Sequence, residues 1–233
     1  MVSINQVKKD SNQLFFDALP KAVVSALKKC SEMDFFSQGN WYLAGGTALA
    51  LQSGHRRSYD LDFFTENKIF DEKKVEKILN DEGKWITNAI SKGTVYGIFS
   101  GTKISLISYP YFKPAEKMHK FGTVSLLTPP DIAVMKIIAI SQRGKKRDFF
   151  DLYWICQNVE SLHNSILKVN KQYSVRQNLT HILKSLVYFT DAESDPEPEI
   201  YFKVSWQEIK KFFKKEIPAI ANKIIIQSKP RTF

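Results

Sequence analysis

The chain has 233 residues, 43% of them apolar and 25% charged, a balance that suits a soluble globular protein of one large or two small domains and excludes a disordered or membrane-embedded one. Its 34 lysines and arginines against 24 acids leave a formal charge of +10, which favours contact with a polyanion such as RNA or DNA, although a generally basic cytosolic protein shows the same surplus. Residues 1–10 hold no apolar stretch of signal-peptide length, and no run is long enough to cross a bilayer, so the expected location is cytoplasmic.

In chain order, residues 11–36 place Leu14, Leu19, Val23, Leu27 and Cys30 near helical spacing and predict a helix, followed by a strand at Trp41 to Ala44. Gly45-Gly46 closes that strand, and Thr47 to Gln52 has the composition of a short helix. After a linker at 53–57, Ser58 to Phe64 alternates as a strand does, with Asp60 and Asp62 on one face and Leu61 and Phe63 on the other. An amphipathic helix is predicted over 71–82, then strands around 94–100, 103–109 and 123–126. From Thr128 the pattern is helical: a capping threonine, Pro129 and Pro130 in the first turn and Asp131 three residues after the cap announce a helix to Gln142, ended by Gly144. Another begins near Lys146, and helices are expected over 174–190 and 205–216, interrupted by the acidic, proline-bearing stretch 191–199. Cys30 and Cys156 lack metal-binding spacing and read as core thiols in a reducing compartment. No internal repeat is visible. The fold class is α+β: a mixed β-sheet flanked by helices over 1–127, then a helical region over 128–233 that completes a cleft.

Asp60 and Asp62 are the strongest candidates for chemistry, because two acids on one strand face either repel each other or hold a cation, and magnesium is held by one or two carboxylates plus substrate phosphates. A solvated edge strand is the plain alternative. Gly45, Gly46 and Thr47, opening a helix, offer backbone N–H groups to an anion, though a glycine pair is also a common tight turn. A phosphatase reading of the same aspartates ranks lower, since Thr65 lies one residue too late for a D-x-D-x-T pattern and the glycine turn would be unexplained. Lys136 sits in an apolar helix where its ammonium needs an anion or a route to water. Asp148 and Asp151 share one helix face and either pair with Lys145 and Arg147 or close with Lys136 over the Asp60/Asp62 site. The basic turn Arg143-Gly144-Lys145-Lys146-Arg147 is the densest candidate for RNA contact.

With these motifs in place, the chain resembles the AbiEii/AbiGii-type nucleotidyltransferase toxins, a branch of the polymerase-beta-like nucleotidyltransferase superfamily. The resemblance rests on Gly45-Gly46-Thr47-Ala48-Leu49-Ala50-Leu51, on His55-Arg56-Arg57-Ser58-Tyr59-Asp60-Leu61-Asp62-Phe63-Phe64, on Thr128-Pro129-Pro130-Asp131-Ile132-Ala133 with Lys136, and on Arg143 through Tyr153. It implies a nucleotidyltransferase core and transfer of a nucleoside monophosphate from a nucleoside triphosphate, dependent on magnesium or manganese. It further implies an RNA acceptor, tRNA in the best-understood relatives, and a cognate antitoxin in a toxin–antitoxin or phage-defence system. Carried over by motif, Gly45, Gly46 and Thr47 would bind the nucleotide, Asp60 and Asp62 the metal, and Lys136 the phosphates, with Asp148 or Asp151 as a further catalytic acid. Arg143, Lys145, Lys146 and Arg147 would hold RNA.

The chain departs from the superfamily pattern on the later strand that often carries a third carboxylate. Residues 103–109 contain none. Either Asp148 or Asp151 supplies that role, or the chain is a catalytically weakened nucleotide- or RNA-binding module. Convergence of those acids on Asp60 and Asp62 would favour the enzyme, and their dispersal the binding module. A protein hydroxyl is an alternative acceptor.

Overall fold

The structure, a computed structural model, describes residues 13–228, with the backbone alone for 225–228. Residues 1–10, read above for their lack of an apolar leader, and the last five residues of the expected helical region lie outside the described residues. The single helix expected over 11–36 is divided. Residues 13–15 are not helical, a 3₁₀ turn spans Phe16–Ala18, Pro20 takes the N-cap position of α1 (Lys21–Glu32), and Met33 is extended before α2 (Asp34–Gln38). Proline has no N–H for a helix interior and is accommodated where a helix starts, which is where Pro20 stands.

The sheet strands are β1 (Tyr42–Ala44), β2 (Leu61–Thr65), β3 (Trp85–Ser91), β4 (Thr94–Phe99), β5 (Thr102–Ser108), β6 (His119–Phe121) and β7 (Val124–Leu126), arranged β3-β4-β5-β2-β1-β7-β6. Parallel pairs β2–β5 and β1–β7 and antiparallel pairs elsewhere make it a mixed sheet. Two strands were not foreseen: β3, whose pattern is broken by a bulge between Thr87 and Ala89, and the three-residue β6. Helix α3 (Gly45–Ser53) connects β1 to β2, and α4 (Glu72–Asp81) packs on β3 and β4.

The helical half comprises α5 (Pro129–Arg143), α6 (Lys146–Asn158), α7 (Leu162–Gln172), α8 (Leu179–Ser185), α9 (Thr190–Glu193) and α10 (Trp206–Ser228). The stretch predicted as one helix over 174–190 is helical only in α8 and at the start of α9. Conversely α10 continues past the predicted end at 216 and through Pro218. Helix α7 was missed, although Leu162, Ile166 and Val169 line up at helical spacing and are all buried. Thr128 holds the N-cap position of α5, but its side chain makes no cap bond. Asp131 turns away to accept from the Ala115 and Glu116 N–H groups, at 3.0 and 3.1 Å, and from Gln172. One continuous buried apolar cluster draws on both halves, from Leu43, Leu49 and Phe63 to Ile137, Phe149 and Phe213. Cys30 and Cys156 are free thiols, and burial pushes the Cys156 thiol up to about 12. No helix among the described residues is long and apolar enough to cross a membrane.

Candidate active site

Strand β2 lies at the middle of the sheet, between β5 and β1, so the edge-strand reading of the two aspartates does not hold. Its alternation buries Leu61, Phe63 and Thr65 on one face and leaves Asp62 and Phe64 half-buried on the other. Asp60 stands just before the strand. Thr65 donates to the Gly39 carbonyl at 3.1 Å on the opposite face from Asp62, which removes the hydroxyl that the phosphatase pattern needed. A cleft of about 660 Å³ opens above Asp60 and Asp62, within the range of small-molecule sites. Its other walls come from the Gly45–Thr47 turn, the cleft-facing side chains of β5 and β4, and the apolar Ile132, Met135 and Ile138 of α5.

The Gly45-Gly46 pair is needed for two different reasons. Gly45 has φ +67°, a left-handed conformation that side-chain-bearing residues rarely adopt. Gly46 makes room for a neighbour, since a Cβ there would collide with the Arg56 guanidinium. No side chain caps α3, so the uncapped first turn of the helix presents its backbone donors at the cleft wall. Thr47, expected to contact the nucleotide, is buried and engaged. Its hydroxyl hydrogen-bonds to the Asp60 carbonyl and shares a 2.8 Å bond with Ser58 Oγ. It therefore fixes the approach to β2 rather than offering a free donor.

Burial raises the Asp62 carboxyl above its ordinary range and the nearby Asp60 adds to the rise, while the Ser105 hydroxyl, Lys136 and Arg147 oppose it. Ser105 is the residue opposite Asp62 in the parallel β2–β5 register. The strand on which a further carboxylate was expected thus sets a serine beside Asp62. The donor set of two neighbouring carboxylates at an open cleft fits a magnesium ion that takes its remaining ligands from substrate phosphates and water. Among the described residues no group of three or more His, Cys, Asp or Glu is placed to hold a metal.

Asp148 and Asp151 do not converge on Asp60 and Asp62, and they do not pair with Lys145 and Arg147. Both are fully buried under the cleft. Lys136 Nζ bridges them, 2.6 Å from Asp148 Oδ1 and 2.6 Å from Asp151 Oδ2. Arg143 adds a bond to Asp148, and Asp151 is gripped by Arg56 and by His55 Nε2 at 2.8 Å. Burial alone would raise the Asp151 carboxyl, but Arg56 and Lys136 hold it well below the usual carboxylate range. The two buried acids are satisfied by buried Lys136 and Arg56 and by the half-exposed Arg143, and the helical half is pinned to the segment before β2. The extended segment at 199–201 pairs with that same segment, Arg57 N–H donating to the Glu199 carbonyl and Tyr201 N–H to the His55 carbonyl, each at 2.8 Å.

The basic turn is divided. Lys145 pairs with Asp195 at 3.0 Å, and buried Lys146 donates to the Glu193 and Asp195 carbonyls, so both point to the acidic stretch instead of the cleft. Arg143 and Arg147 line the cleft. The Arg147 side chain makes no hydrogen bond or ion pair among the described residues. Residues not foreseen as part of the site are Arg56, Ser58, Asn88, Tyr96, Lys103 and Ser105. Ser105 was legible as a missing carboxylate and Arg56 and Ser58 lie in the segment just before Asp60, whereas Asn88, Tyr96 and Lys103 became neighbours only through strand pairing.

A family model described as "Nucleotidyl transferase AbiEii toxin, Type IV TA system" matches residues 30–110 and 102–226. An uncharacterized protein of Aquifex aeolicus is 35% identical over 183 residues, covering 76% of this chain and 86% of that protein. Among solved structures, MenT4, a nucleotidyltransferase toxin from Mycobacterium tuberculosis H37Rv, is similar with a TM-score of 0.47 at 15% identity, over 86% of this chain and 85% of that one. The Megavirus polyadenylate synthase gives 0.42 at 16% identity, over 60% of this chain and 32% of that one.

Proposed function

This chain belongs to the AbiEii nucleotidyl transferase toxin family, and from that premise we propose that its cleft transfers a nucleoside monophosphate from a nucleoside triphosphate to an RNA hydroxyl. In this reaction the acceptor oxygen bonds to the α-phosphorus, the bond to the bridging oxygen breaks, pyrophosphate leaves, and the hydroxyl proton is released to water. The observation that carries the reading is the placement of Asp60 and Asp62 on the cleft floor, beside the uncapped start of α3. Asp60 and Asp62 would hold magnesium, which when bound supplies charge neutralisation for the phosphates. The α3 N-terminus and Arg147 orient and neutralise the triphosphate. Lys136 serves chiefly to bind Asp148 and Asp151 together, and it reaches the cleft from beneath. A cognate antitoxin is part of the proposal, on the strength of the family alone.

The experiment is incubation of the purified protein with each labelled nucleoside triphosphate, magnesium and total RNA, beside Asp62→Asn and a chelator control. Label on RNA that disappears in both controls supports the reading. Full labelling by Asp62→Asn overturns the site, and label on protein alone overturns the RNA acceptor. A second reading, a nucleotide-binding module with weakened catalysis, is favoured by Ser105 beside Asp62 and by Asp148 and Asp151, which pair with Lys136 and Arg56 instead of joining Asp60 and Asp62. It requires triphosphate binding by the wild type with no transfer to any acceptor.

A further inference from the structure

We propose that the open sheet face beside Asp62, built on β5, β4 and β3 and presenting Tyr96, Asn88 and Lys103, binds the unpaired end of the RNA acceptor strand. The inference rests on the transferase reading above and adds where the acceptor lies.

The argument begins with strand order. The uncapped α3 N-terminus, the natural seat of the departing phosphates, is on the β1 side of β2. In-line displacement puts the attacking oxygen opposite the leaving one, and the opposite side of β2 is β5. The register sets Asp62, Ser105 and Tyr96 side by side on three successive strands. At the usual strand spacing Tyr96 is roughly 10 Å from Asp62 across the sheet, a distance that a terminal nucleotide spans.

The chemistry of this face suits a single nucleic-acid strand. Tyr96 is 41% exposed and Ile86, on the same face, is 62% exposed. The other face is covered, for Trp85, Val95 and Phe99 are buried there and α1 and α4 pack against these strands. The side chains of Tyr96, Asn88 and Lys103 have no hydrogen-bond or ion-pair partner among the described residues. From Trp85 to Ser108 the chain carries no aspartate or glutamate. Asp62 adjoins this face at Ser105, and the acids of α4, Glu72 and Glu76, bond to the Gly93 N–H and the Thr87 hydroxyl, with Thr87 paired to Gly97 on the covered side. An exposed ring with a free ammonium and an amide, on three strands that carry no acid of their own, is the arrangement on which unpaired bases stack while a lysine meets the backbone. Lys145 and Lys146 of the basic turn cannot do the same, because both are held by the acidic stretch.

The test uses the full chain and a short unstructured RNA labelled at its 5′ end, with binding followed by anisotropy over a range of salt. Tyr96→Ala is expected to weaken RNA binding by about tenfold or more, and Tyr96→Phe to retain it, because stacking needs the ring and not the hydroxyl. Lys103→Ala should flatten the log–log salt slope by about 0.7. Titration with a non-hydrolysable triphosphate should give the wild-type affinity in all three variants. If wild-type protein labels RNA and the variants bind it equally well, the acceptor enters elsewhere; the inference falls and the transferase reading stands. If the wild type neither binds nor labels RNA but labels a protein, both fall together.

Discussion

Arg56, on the segment entering β2, and Asp151, on α6, meet in a two-point contact, Nη2 to Oδ2 at 2.9 Å and Nε to Oδ1 at 2.5 Å. The same guanidinium lies over Gly46 and lines the cleft. A single buried arginine thus joins the glycine turn, the approach to the paired aspartates and the helical half. Residues that look like separate motifs along the chain form one supported unit.

Asp151→Asn should destabilise the fold by about 3–5 kcal/mol, the usual cost of removing one partner from a buried ion pair and leaving the other uncompensated. Three groups, Arg56, Lys136 and His55, lose their shared anion at once. Urea unfolding measures the loss, and a change below about 1 kcal/mol would contradict the anchoring role.

Gly46→Ala places a methyl group against the Arg56 guanidinium. Overpacking of this kind costs about 1–3 kcal/mol. Displacement of Arg56 should also lower triphosphate affinity, measured by titration. A variant of wild-type stability and affinity would show that Arg56 moves aside freely.

Acid sensitivity should appear in two steps. Burial lowers the His55 pKa, so the folded protein keeps a neutral ring that donates Nε2–H to Asp151. A group depressed in this way stabilises the fold above its unfolded pKa, about 6.5, and stability falls as pH drops below that value because the unfolded chain takes up the proton first. Asp151, held low by Arg56 and Lys136, contributes stability above about 3.9 that is lost as pH falls further toward its folded value. His55→Gln should abolish the first step and leave the second, as read from thermal midpoints across pH.

Lys146→Ala and Arg147→Ala should separate, although the two residues are adjacent. Lys146 is buried against the acidic stretch and its ammonium lies 5.7 Å from the Trp206 ring centroid, so its loss should cost stability, about 1–3 kcal/mol for the acceptors left unpaired. Arg147 is exposed at the cleft, and its loss should weaken triphosphate binding with little change in thermal midpoint. Equal effects of the two substitutions on binding would restore the basic turn as a single phosphate contact.

What the sequence by itself determined was local and periodic. Alternation placed Asp62 and Leu61 on opposite faces of a strand, the glycines marked the turn into α3, and the prolines after Thr128 marked the start of α5. Amphipathic spacing located α4 and α6. These features depend on neighbours a few residues apart, and the backbone's periods of 2 and 3.6 print them directly on the chain. Where the period was interrupted, as by the bulge in β3, the element was lost from view. The tertiary structure alone decided which charge meets which. Lys136 is 12 residues from Asp148, Arg56 is 95 from Asp151, and Lys146 is 49 from Asp195. Nothing in local spacing records these pairings, because a buried charge is satisfied by whatever partner the packed helices and strands bring within hydrogen-bond reach. Packing therefore spent Asp148 and Asp151 on cations beneath the site, turned half of the basic turn toward the acidic stretch, and left Tyr96 and Lys103 open beside Asp62.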